Sequence, residues 1–173
     1  LFPYTTLFRS MHAHAVRAFN VLRQYDESSV RGAWQEMYAH LAPEGIIIDG
    51  TCDEIGRRAT WIAIRRTDAQ EALPETFSMS THVASLERPS ELAERLPKAL
   101  IHHNVPGQPV HALLQAFDHA WAKAAPQGTF GPRQRWIAAV EQLQESGTPV
   151  IDGRARWKLG EVTVPWSVVA PLH

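Results

Sequence analysis

Two strand-like runs enclose a single amphipathic helix between residues 15 and 51, and that order leaves few folds open. Ala15-Val16-Arg17-Ala18-Phe19-Asn20-Val21-Leu22 is short and mostly apolar, the composition of a strand buried on both faces. Asp26-Glu27-Ser28-Ser29 then supplies capping side chains. Val30, Ala33, Trp34, Met37 and Leu41 follow at helical spacing until Pro43-Glu44-Gly45 stops the pattern. Gly45-Ile46-Ile47-Ile48-Asp49-Gly50-Thr51 is a β-branched run. Strand, crossover helix and strand in this order predict a parallel, right-handed βαβ unit, and so an α/β fold.

The continuation is of a different kind. Only Cys52 to Arg58 separates the second strand from Ala59-Thr60-Trp61-Ile62-Ala63-Ile64-Arg65-Arg66, whereas a parallel crossover needs about a dozen residues or more. The third strand is therefore expected to run antiparallel. Phe77-Ser78-Met79-Ser80-Thr81-His82-Val83, with its alternation, is expected to return as a fourth, which makes the sheet mixed at this side. Pro89-Ser90-Glu91 opens a helix with Leu92 and Leu96 on one face, and Ile101 to Gly107 reads as a structured loop.

Two longer helices follow. Pro109 opens one with Val110, Leu113, Leu114, Phe117 and Trp121 inward; Pro132 opens another with Trp136, Ile137, Val140 and Leu143 inward, ending at Gly147. The tail, from Val150 to Trp166, has a turn signal at Asp152-Gly153 and then strand character, with Pro165 favouring an edge position.

Composition narrows the function classes. Lys and Arg number 17 against 18 for Asp and Glu, so there is no basic surplus to hold the phosphates of a nucleic acid. No continuous apolar run approaches the roughly 20 residues of a membrane-spanning helix. With the single cysteine, Cys52, no intrachain disulfide can form, and a cytoplasmic location is the expectation. The first ten residues, Leu1-Phe-Pro-Tyr-Thr-Thr-Leu-Phe-Arg-Ser10, read as an in-frame translation of a common short-read sequencing adaptor. On that reading residues 11–173 are the C-terminal part of a single domain. The alternative is a genuine N-terminal strand built on Leu1, Phe2, Tyr4, Leu7 and Phe8.

Val16-Arg17-Ala18-Phe19-Asn20-Val21-Leu22, a helix, and then Leu41-Ala42-Pro43-Glu44-Gly45-Ile46-Ile47-Ile48-Asp49-Gly50-Thr51 resemble the fourth and fifth strand region of class I S-adenosylmethionine-dependent methyltransferases. The likeness extends through Gly50-Thr51-Cys52-Asp53-Glu54-Ile55-Gly56-Arg57, Leu96-Pro97-Lys98-Ala99-Leu100-Ile101 and Phe130-Gly131-Pro132-Arg133-Gln134-Arg135-Trp136 to bacterial methyltransferase-like proteins. It implies a Rossmann-like methyltransferase sheet, N-terminally truncated so that it starts near the fourth strand, with C-terminal helices and edge strands. It also implies S-adenosyl-L-methionine as the cofactor of the intact parent, and a small molecule or another acceptor for the methyl group. The family's glycine-rich loop, and the acidic residue that holds the ribose hydroxyls, would then lie upstream of residue 11. No G-x-G-x-G occurs in this chain, so little or no activity is expected of it as given. The other class kept open is a non-catalytic Rossmann-like scaffold or interaction protein.

Ligands of open α/β sheets sit beyond the carboxyl ends of the parallel strands, which selects the candidate residues. The first strand end offers Asn20 and, just beyond it, Arg23, Gln24 and Tyr25; the resemblance places this end near methyl donor and acceptor, and makes Asn20 and Tyr25 the cofactor candidates. Asn20 either hydrogen-bonds an acceptor group or satisfies loop backbone. The second end offers Thr51, Cys52, Asp53, Glu54 and Arg57. Asp53 or Glu54 either takes a proton from a nucleophile or is a solvated or capping carboxylate. Arg57, Lys98, His102, His103 and Asn104 are candidates for an acceptor pocket, set against ordinary surface placement. Cys52 reads as a small apolar residue rather than a nucleophile. The histidines His12, His14, His102, His103 and His111 complete no recognised metal spacing.

Overall fold

The computed structural model describes residues 12–172; the adaptor-like segment 1–10 lies outside the described residues. Five strands form one mixed sheet in the order β1-β2-β3-β4-β5: β1 (Ala13–Phe19), β2 (Leu41–Cys52), β3 (Arg58–Arg65), β4 (Thr76–Thr81) and β5 (Glu161–Pro165). β1 and β2 are parallel and are joined through helix α1 (Glu27–Ala39); β2, β3, β4 and β5 are successively antiparallel. The βαβ unit and the antiparallel turn-back expected from the linker lengths are both present. Pro165 stands on an edge strand, where its missing N–H costs no ladder bond.

Several boundaries differ from the sequence reading, each for a local reason. β1 stops at Phe19 because Asn20 adopts a left-handed φ of 59°, and Leu22–Gln24 is a turn of 3₁₀ helix, not strand. Leu41 belongs to β2, since α1 is closed at His40. Pro43-Glu44-Gly45 is carried within that strand as an irregularity, where Glu44 has φ 59° and the pairing with β1 shifts. Asp26 stands at the N-cap of α1, yet its side chain makes no capping bond. Pro89–Arg95 winds as 3₁₀ rather than α helix, and a short helix α2 (Lys98–Ile101) leads into the segment read as loop, overlapping it only at Ile101. The Asp152-Gly153 signal leads into a short helix, Arg154–Trp157, and not a hairpin; Asp152 accepts the Trp157 indole N–H at 2.8 Å.

Side-chain alternation sorts the sheet into two unlike faces. Ile47, Asp49 and Thr51 of β2 share one face with Ile64, Ile62 and Thr60 of β3, and with Phe77, Met79, Val164 and Val162 beyond them; all are buried. Trp34 of α1 bonds Asp49, and Thr60 donates its hydroxyl to the Arg95 carbonyl at 2.6 Å, so α1 and the 89–95 turn both cover this face. Behind that turn pack α3 (Pro109–Lys123) and α4 (Pro132–Glu145), with the Phe117 and Trp136 rings 5.1 Å apart.

On the opposite face Ile46, Ile48, Phe19 and Trp61 are only half-buried. The Phe19 ring lies 6.3 Å from that of Trp61 and beneath the Arg17 guanidinium at 3.8 Å. Gly50 is required here, because a Cβ would come within 2.7 Å of the Phe19 ring. Among the described residues no helix is long and apolar enough to cross a membrane.

Candidate functional site

The carboxyl ends of β1 and β2 lie side by side, with Phe19 opposite Gly50. There Asn20 closes a small lock. Its backbone N–H reaches the Gly50 carbonyl at 2.8 Å, its Oδ1 accepts the Cys52 N–H at 3.0 Å, and its Nδ2 donates to Cys52 Sγ at 3.4 Å. The left-handed backbone at Asn20 turns the chain sharply away from the sheet, and asparagine tolerates that conformation better than most residues. One lone pair of Oδ1 and one N–H of Nδ2 remain for a ligand above the strand ends.

The second strand end is organised by Asp53. Its Oδ1 accepts the Arg57 N–H at 2.7 Å, and its N–H reaches the Arg58 carbonyl at 2.9 Å, which closes the β2–β3 hairpin. Glu54 and Arg57 point from this turn into solvent. Arg58 is the better-anchored guanidinium: it pairs with Glu91 at 2.5 Å and donates to the Ser85 carbonyl.

Beyond β1, the turn Leu22–Gln24 is pinned by the Arg23 guanidinium to the Glu94 carbonyl at 2.7 Å, and half-buried Tyr25 packs against the core at its end. Helix α2 docks on this turn and on the start of α1. His103 Nε2 meets Glu27 Oε1 at 2.7 Å, and His111 Nδ1 meets Asn104 Oδ1 at 3.2 Å. His103 is thus tied to Glu27, two residues after Tyr25, while Lys98 is half-buried and His102 exposed. Among the described residues no three His, Cys, Asp or Glu side chains come together as a metal site.

No family model, curated protein or solved structure matches this chain. The site therefore rests on its own geometry. An adenosyl cofactor fits it in part: the paired parallel strand ends and the unused polar atoms of Asn20 are present, whereas a glycine-rich loop is not in the sequence.

Sequence reasoning passed over two residues near this end. The sequence marks Glu27 only as a capping side chain at a helix start, because its partner lies 76 positions away. Asp49 reads in the sequence simply as part of a β-branched run. It is 2% exposed, its Oδ2 accepts the Trp34 indole N–H at 3.0 Å, and burial pushes its carboxyl up to about 6 despite that bond. An acid on the inward alternation of a β-branched run was the signal available. A cleft of about 1000 Å³ runs along α1 from His103 and Ala99 at this end to residues 70–74 at the other.

Proposed function

We propose that these residues form the C-terminal part of a class I S-adenosylmethionine-dependent methyltransferase, a Rossmann-like sheet beginning near its fourth strand. In this reading the cofactor lies above Asn20 and Tyr25, and the methyl acceptor lies toward segment 98–104. The observation that carries it is the Asn20–Cys52 lock: it holds two parallel strand ends level, and the turn that follows Asn20 packs against β2 and against the short helix α2. Methyl transfer from a sulfonium depends chiefly on in-line positioning, which a rigid strand-end floor supplies. β1 stands at an edge of the sheet among the described residues, and an edge of that kind accepts further parallel strands. The glycine-rich loop and the ribose-binding acid belong, in this reading, to such upstream strands, and residues 1–173 alone have little or no activity.

One observation favours a scaffold instead: Asn20 and Asp53 both use their side chains to tie down their own strand ends. The parent reading frame separates the two readings. A glycine-rich loop after an upstream strand, with an acidic residue about 20 positions later, supports the enzyme. Its absence there means the chemistry is lost and the scaffold stands.

A further inference from the structure

Resting on the methyltransferase reading, we infer that Glu27 and His103 form a general-base pair, and that the cleft along α1 beside them holds a methyl acceptor with an acidic O–H on an apolar, aromatic body. The ring atom facing Glu27 is Nε2, at 2.7 Å from a carboxylate oxygen, so Nε2 carries the hydrogen of the neutral imidazole and Nδ1 keeps its lone pair. Among the described residues the His103 ring makes no other hydrogen bond, while its backbone N–H donates to the Leu100 carbonyl at 3.0 Å. A carboxylate that fixes the tautomer and steadies the cation formed on protonation is the arrangement by which histidine serves as a base.

Both members of the pair line the cleft, and Val30, Trp34, Leu73, Pro74, Trp166 and Pro171 give it apolar walls, while the polar lining residues Ser28, Arg31, Gln35, Gln70 and Glu71 are all exposed to solvent. Aromatic and proline surfaces of this kind suit a flat ring better than a sugar or a charged chain. The cleft end that holds His103 is also the end nearest the strand-end floor. Glu27 follows Tyr25 by two residues, a backbone span of at most about 7 Å. An acceptor in the cleft can therefore present its oxygen toward the space above Tyr25 and Asn20.

The step balances without any further reactant. The acceptor oxygen's lone pair forms the new bond to the methyl carbon as the carbon–sulfur bond breaks, and that bond's electron pair stays on sulfur. The O–H proton passes to His103 Nδ1, giving an imidazolium paired with Glu27, and then to solvent.

4-Nitrophenol tests the pair without any methyl donor, because its phenolate absorbs visible light and its phenol does not. Titrated into the full-length protein at a pH below the phenol's own pKa, it is expected to bind as phenolate. His103→Gln, which keeps a polar side chain of similar reach, is expected to lose the phenolate band and bind about tenfold more weakly, the effect of removing one charge-assisted hydrogen bond. Glu27→Gln is expected to fall between the two. Absence of binding to the wild type overturns the acceptor cleft. Binding whose phenolate band survives in a folded His103→Gln overturns the base assignment. A parallel mass-spectrometric assay for methyl 4-nitrophenyl ether with S-adenosylmethionine reports on methyl transfer separately, so a protein that binds phenolate without methylating it sinks the enzyme reading and leaves the pair standing.

Discussion

The indole N–H of Trp34 is donated to a carboxylate oxygen of Asp49 at 3.0 Å, inside the interface between α1 and the centre of the sheet. Both residues are 2% exposed. One hydrogen bond offsets only part of the cost of holding a carboxylate there, so the neutral acid is favoured and its pKa stands at about 6, against 3.8 for an ordinary aspartate.

A pH dependence of stability follows, with a defined sign. The pKa is higher in the folded state, so this residue's contribution is fully present below about pH 4 and is lost as pH rises toward 6. The loss is about 3 kcal/mol, as an order of magnitude. Asp49→Asn keeps an acceptor for Trp34 and cannot ionise. The difference in melting temperature between variant and wild type should therefore change between pH 4 and pH 7 in the variant's favour. Parallel profiles across that range would contradict the assignment.

Gly160 is the glycine least able to change. Its φ is +81°, its carbonyl accepts the Thr81 N–H at 2.9 Å, and a Cβ would collide with the Thr81 backbone oxygen. Gly56 has a φ of +70° but open space around it. Thermal unfolding should rank Gly160→Ala well below Gly56→Ala. The latter should cost about 1 kcal/mol for its backbone conformation alone and the former several, because backbone cannot move aside cheaply.

Asn20 joins a backbone role to a side-chain role, and two substitutions separate them. Asn20→Gly keeps the left-handed turn and loses the bonds to Cys52; Asn20→Ala loses both. Chemical denaturation should show a cost of about 1 kcal/mol for glycine and about 2 for alanine. Equal costs would mean that the turn conformation is not being held by this residue.

The architecture was legible where periodicity and linker length act together. The run of helical spacing from Val30 to Met37 and the short Cys52–Arg58 connection dictated a parallel pair followed by an antiparallel return, and both are there. Boundaries were less legible, because the backbone turn at Asn20 and the irregularity at Pro43-Glu44-Gly45 depend on pairing partners that no local window contains. The candidate residues were legible as positions beyond the strand ends and not as a set of contacts. Asn20 and Asp53 stand at the strand ends as topology requires, while the Glu27–His103 pair joins residues 76 apart, which composition and spacing do not connect.

Isothermal titration of S-adenosylhomocysteine into the full-length gene product containing residues 12–172 tests the central claim most directly. The methyltransferase reading predicts saturable one-to-one binding that Asn20→Gly weakens. No binding at millimolar ligand would contradict it.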